Sequence, residues 1–145
     1  MTLDVSDPKI NEAYLKVRDD KSETNWLLLD YESDISNTLQ LTKTGTGGLA
    51  ELSEHLDESK GSYAYARVSF SNDKESKREK FILVSWIGSR CKIMRKARMT
   101  VHLATVKEVL RAYSIEVAAQ EKDDLKEDPI VKRLRKAGGA SYDGI

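Results

Sequence analysis

The sequence predicts a mixed α/β fold, an open mixed sheet with helices packed on both of its faces. Three observations carry that prediction. Apolar spacing runs helix, strand, strand, helix, strand, strand, helix, helix, which is not the strict β-α alternation of a doubly wound fold. Residues 81–87 are apolar at nearly every position, the mark of a central strand covered on both faces. The chain has 145 residues, 39% of them apolar, which suffices for one core of ordinary size. One domain over 1–145 is therefore expected, with an ordered core from about 6 to about 138 and a flexible tail over about 139–145.

Each element has its own local reason. Ser6-Asp7-Pro8 opens the first helix, because a hydroxyl or acid caps free N–H groups and proline has no N–H to lose there. Ile10, Ala13, Tyr14 and Val17 follow at i, i+3, i+4, i+7 and form one apolar stripe. Residues 26–29 are an apolar run of strand length, and 35–41 form a weaker second strand. Thr44-Gly45-Thr46-Gly47-Gly48 reads as a loop, with a short helix after it marked by Leu49, Leu52 and Leu56. Residues 63–70 alternate. Ala64, Ala66, Val68 and Phe70 share one face and Tyr63, Tyr65, Arg67 and Ser69 the other, as in a half-buried strand. Residues 71–80 read as a polar turn entering the central strand at 81–87. A long helix is expected over 99–120, with Val106, Val109, Leu110, Tyr113 and Val117 on one face, and a short extra strand near 92–94. Asp128-Pro129 caps a last helix that holds Ile130, Val131 and Leu134 and stops at Gly138-Gly139.

Composition removes several classes. No apolar run approaches the ~20 residues of a membrane span. Residues 1–8 carry acids and lack the apolar centre of a secretory signal. One cysteine, Cys91, cannot form an intramolecular disulfide, and one Cys with two His cannot build a structural zinc site. A reducing, cytoplasmic compartment is expected. Charge balances at 24 bases and 24 acids, yet 1–60 holds 13 acids to 6 bases while 61–111 holds 4 acids to 12 bases. Nucleic-acid binders are usually basic throughout, because affinity comes from neutralising phosphates. Here the acidic first block argues against that partner.

Catalytic signals are weak. Gly45-Thr46-Gly47-Gly48-Leu49-Ala50 fits the pattern G-x-G-x-x-A, but no acid ends a second strand ~20 residues on, and no Gly-Lys-Ser/Thr follows. A flexible loop is the expected reading. Cys91 lies among Arg90, Lys92 and Arg95, which favour a thiolate, but neither His55 nor His102 is spaced to serve as its base. The acid pairs Asp19-Asp20, Asp57-Glu58 and Asp123-Asp124 sit at turns and do not share a helix face. The chain is read as no enzyme, with no cofactor and no metal.

Basic clusters are the strongest signal. They comprise Lys77, Arg78 and Lys80 before the central strand; Arg90, Lys92, Arg95, Lys96 and Arg98 before the long helix; and Lys132, Arg133, Arg135 and Lys136 near the C-terminus. The last complements its helix dipole. The second opposes one, which points to an acidic partner. Aromatic residues for stacking bases are not interleaved there.

These residues also carry a resemblance. Val17-Arg18-Asp19-Asp20, Ser76-Lys77-Arg78-x-Lys80-Phe81, Trp86-Ile87-Gly88, Val106-Lys107-Glu108-Val109 and Lys136-Ala137-Gly138-Gly139-Ala140-x-Tyr142-Asp143 together resemble the coactosin branch of the actin-depolymerising factor homology (ADF-H, cofilin-like) family. The resemblance implies a five- or six-stranded mixed sheet between helices. It implies a monomer that binds along the sides of actin filaments in the cytoplasm, with little or no severing or monomer sequestration. It assigns filament contact to Lys80 and Lys136, and a basic segment at the start of the long helix to Lys96, Arg98 and Met99. Lys77, Arg78 and Lys107 join them as candidates, and Arg78, Lys80, the helix start at 96–99 and Lys136 are expected to converge on one edge. Where depolymerising factors carry a Tyr-Ala-Ser-Ser-Lys stretch, this chain has residues 101–105 with Thr105 at the lysine position, which argues against severing. The alternative is a polyanion-binding module, for phosphoinositide or nucleic acid, on the same bases.

Overall fold

The first helix starts where the sequence places it. Asp7 accepts a hydrogen bond from the Lys9 N–H at 3.0 Å, and α1 (Pro8–Arg18) buries Ile10, Ala13, Tyr14 and Val17. The computed structural model describes residues 2–71 and 77–139, so the tail expected beyond them and Ser76 lie outside the described residues. Chain order continues β1 (Trp26–Tyr31), β2 (Leu39–Gly45), α2 (Gly48–Glu54), β3 (Gly61–Ser71), β4 (Lys77–Ile87), α3 (Ile93–Val109), β5 (Ile115–Ala119), a short 3-10 turn (Lys122–Leu125) and α4 (Glu127–Gly139).

The five strands form one mixed sheet in the order β2-β1-β3-β4-β5. Neighbours are antiparallel except β4 and β5, which are parallel, and α3 is the crossover that such a pair requires. Because side chains alternate across a strand, the apolar residues divide between two layers. Trp26, Leu28, Ala64, Ala66, Val84 and Trp86 pack with Leu52 of α2 and Ile130 and Leu134 of α4. Leu27, Leu29, Tyr63, Tyr65 and Leu83 pack with Tyr14 and Val17 of α1 and Met99 and Val106 of α3. Gly61 lets α3 settle this close, since a Cβ there would lie 2.2 Å from the Met99 sulfur.

Several expectations are corrected. The long helix runs over 93–109, not 99–120, and the extra strand is β5 at 115–119 instead of 92–94. Leu110, Tyr113 and Val117 do fit a helical spacing. Chain geometry follows the competing period-2 signal, in which Val117 and Ala119 are buried, Ile115 is half-buried, and Glu116 and Ala118 face out. The second strand begins at Leu39, leaving Ile35 84% exposed in the preceding loop. Tyr63 and Tyr65 are fully buried, so β3 is covered on both faces at its start rather than half-buried. Residues 77–80 belong to β4 and are not a turn.

Candidate functional site

The outer half of the β3–β4 hairpin stands clear of the sheet. β1 pairs with β3 only as far as Ala66, and β5 pairs with β4 only from Ile82, so residues 67–71 and 77–81 project as a two-stranded ribbon. Ile82 and Val84 face the α4 layer, and by alternation so do Arg78 and Lys80, while Lys77 and Glu79 face the other way. Arg67 anchors the ribbon, donating to the carbonyls of Asp19 and Ser22 at 2.7 Å each, with its Nε 4.0 Å from Glu79.

From the other layer, α4 lies against this ribbon. Arg135 donates to the Ser71 carbonyl at 2.6 Å and places its guanidinium 5.6 Å from the centre of the Phe70 ring. Lys136 is the next residue and is exposed, as is Lys132 one turn earlier. Phe70 pairs with Arg78 across the hairpin, which brings Arg78, Lys80 and Lys136 to one end of the molecule. Among the described residues, Lys77, Lys80 and Lys136 have no acidic partner.

The second basic cluster is organised differently. No side chain caps the N-terminus of α3 and no acid lies in its first turn. Its bases are largely committed. Lys92 pairs with Asp34 at 3.1 Å and Arg90 with Glu58 at 3.6 Å. Arg95 is buried, stacks 3.6 Å from the Tyr31 ring centre, and donates to the carbonyls of Ser33 and Asp34 at 3.0 and 2.8 Å. Arg98 donates to the Ile35 carbonyl at 3.3 Å, and Lys96 is half-buried. Met99, expected as an apolar contact, is 2% exposed and belongs to the core under Gly61. The large apolar residues that do face solvent on this helix are Ile93, Met94 and Val101, the first two lying outside the range expected for it.

The expected convergence on one edge does not occur. Register runs from Gly61 opposite Ile87, beside the start of α3, to Ser71 opposite Lys77, beside the end of α4. Ten residues of ladder separate those ends by about 34 Å, and α3 and α4 lie on opposite faces of the sheet. Lys107 belongs to neither end. It sits near the C-terminus of α3, paired with Glu116 at 2.9 Å, which holds its ammonium above the ordinary lysine range chiefly through that hydrogen bond.

Comparison with known proteins decides the family. Residues 2–135 match the model of the cofilin/tropomyosin-type actin-binding proteins. The chain belongs to that family. It is 41% identical to coactosin of Dictyostelium discoideum over 142 residues, 97% of this chain and 95% of that one. Its fold is similar to the crystal structure of coactosin from Entamoeba histolytica, with a TM-score of 0.84 and 32% identity over 94% of this chain and 96% of that one. It is likewise similar to the solution structure of mouse coactosin, described as an actin filament binding protein, with a TM-score of 0.77 and 29% identity over 99% and 98% of the two chains.

Within this cofilin-type fold, the glycine loop offers no phosphate cradle, and it is pinned rather than loose. The Glu51 carboxylate accepts from the N–H groups of Thr46 and Gly47 and from Trp26 Nε1, at 3.1, 3.0 and 2.8 Å. The Gly47 bond, more than the Trp26 one, holds that carboxyl below its usual range. Cys91 is buried, and desolvation pushes its thiol up, away from the thiolate that reactivity needs. No helix among the described residues is long and apolar enough to cross a membrane.

Proposed function

We propose that this chain binds along the sides of actin filaments through the basic end formed by the β3–β4 ribbon and the last turns of α4. In this reading Lys80 and Lys136 are the principal contacts, with Lys77 and Arg78 beside them. The observation that carries it is the gathering of these bases on one projecting end, Lys77, Lys80 and Lys136 lacking an acidic partner among the described residues, in a chain of the cofilin type. Mouse coactosin, similar over nearly the whole chain, is described as a filament binder, which supports the same partner here.

The start of α3 is a secondary contact, made by Lys96 and Arg98 with the exposed Ile93, Met94 and Val101. Residues 101–105 lack the lysine of depolymerising factors, so the protein severs and sequesters little. It acts as a single domain and a monomer in the cytoplasm and the actin cytoskeleton, with no cofactor and no catalysis. Exposed charge pairs contribute only ~0–1 kcal/mol each, so binding is modest and weakens with salt.

High-speed co-sedimentation with filamentous actin across a salt series tests the reading. Pelleting that falls with salt, without a rise in soluble actin, is the expected result. A rise in soluble actin contradicts the side-binding mode, and no pelleting at low salt contradicts the function.

A further inference from the structure

The ribbon that carries Lys77, Arg78 and Lys80 receives little support from the sheet. Beyond Ala66 and Ile82 it consists of two strands, and two strands alone are marginally stable and twist more than a full sheet. Its direction is therefore set by side chains at its base. Arg67 stands there. Its backbone N–H donates to the Asn25 carbonyl at 2.8 Å. Its guanidinium then spreads over the turn between α1 and β1, where Nη1 donates to the Asp19 carbonyl at 2.7 Å and Nη2 to the carbonyls of Ser22 and Thr24 at 2.7 and 3.2 Å.

The same side chain reaches across the hairpin. Arg67 Nε lies 4.0 Å from the Glu79 carboxylate, which also accepts from Ser69 Oγ at 3.3 Å, so one residue ties both strands of the ribbon to the turn. Phe81, next to Lys80, is held on the same face. It stacks on Tyr65 with ring centres 5.5 Å apart, and the Arg18 guanidinium covers it 4.7 Å from its centre. The Arg67 side chain is 8% exposed, too little to touch a partner itself. Its acceptors, however, belong to a surface turn in which Asp19, Asp20, Lys21 and Glu23 are exposed. Water can replace the lost donor at those carbonyls. Loss of Arg67 therefore falls on the ribbon's direction more than on the core.

We propose that Arg67 is a positioning residue for filament binding: by fixing the ribbon to the turn at 19–24, it holds Lys80 in the place relative to Lys136 that the filament surface requires. This rests on the proposed contact through Lys80 and Lys136. Arg135, which donates to the Ser71 carbonyl from α4, is the matching tie on the other face. A ribbon freed from Arg67 samples several directions, and apparent affinity falls with the fraction of time spent in the competent one.

Co-sedimentation with filamentous actin and amide hydrogen exchange, both on the full chain, test it. Arg67→Gln is expected to weaken filament binding about tenfold. Arg67→Lys, which keeps the charge and loses the planar fork, is expected to weaken it about threefold, and carries the test if Arg67→Gln does not fold. In both, the slope of affinity against salt stays that of the wild type, and amides of 68–70 and 78–81 exchange faster while those of 27–29 and 62–65 keep their rates. A merely structural Arg67 would lower the melt and leave binding by the folded protein unchanged. Undiminished pelleting by the folded variants, beside a wild type that pellets, overturns this proposal and leaves the filament reading standing. Unchanged exchange in the ribbon overturns it too, as does a flattened salt slope, which would make Arg67 a direct contact. A wild type that does not pellet overturns the filament reading, and this inference with it.

Discussion

The two basic regions of this molecule look alike as sequence and differ as structure. At the ribbon end, Lys77, Lys80 and Lys136 carry charge with no acidic partner among the described residues. At the start of α3, Lys92, Arg95 and Arg98 are tied to the segment after β1, and apolar side chains take the solvent face. Uncommitted charge suits steering and salt-sensitive contact with an acidic surface. Committed charge is structural, because it satisfies the Ser33, Asp34 and Ile35 carbonyls of that segment. Density of bases in a sequence window does not distinguish the two.

The largest effect expected to separate the regions is on filament binding. Lys80→Glu combined with Lys136→Glu replaces attraction by repulsion at both principal contacts and is expected to weaken co-sedimentation by about a hundredfold or more (~3 kcal/mol). The thermal melt should not move. Arg95→Met gives the opposite pattern: it removes two part-buried carbonyl contacts and the Tyr31 stack, so stability falls by about 2–3 kcal/mol. Denaturant melts measure this. An unchanged midpoint would mean that Arg95 is not structural.

A smaller effect sharpens the contrast. Val101→Ser removes an exposed apolar contact and should weaken filament binding a fewfold while leaving the slope of affinity against salt unchanged. Lys77→Ser should instead flatten that slope. If both variants change the slope equally, the division into a charged and an apolar contact is wrong.

His102 supplies the smallest effect, one of pH. Its folded pKa lies below the free value of 6.5 because of burial first and then Arg95 and Arg98. The unfolded chain therefore binds the proton more readily. His102 contributes full stability above pH 6.5, and that stability is lost as pH falls from there through the folded pKa. Melts below about pH 6.5 should decline more steeply for the wild type than for His102→Gln.

Much of the fold was legible in the sequence. Asp7-Pro8 and the stripe at Ile10, Ala13, Tyr14 and Val17 gave α1 its start and its buried face. The run at 81–87 marked an inner strand, β4, with Ile82, Leu83, Val84 and Trp86 buried in it, although the middle of the sheet is β3. β5 was hidden because Leu110, Tyr113 and Val117 also satisfy a helical period, and five residues are too few for the period-2 signal to prevail. Met99 shows a limit of motif reading: its place beside Lys96 and Arg98 suggested contact, but helix phase turns it under Gly61 into the core. Separation of the basic clusters was not legible either, since it depends on sheet register and on which face each helix covers. Both are long-range properties that local spacing does not encode.

The most direct test of the central claim is co-sedimentation of Lys80→Glu with filamentous actin at low salt, beside the wild type and with melts of both. The account predicts that the variant melts like the wild type and stays in the supernatant. A well-folded Lys80→Glu protein that pellets as the wild type does would contradict it.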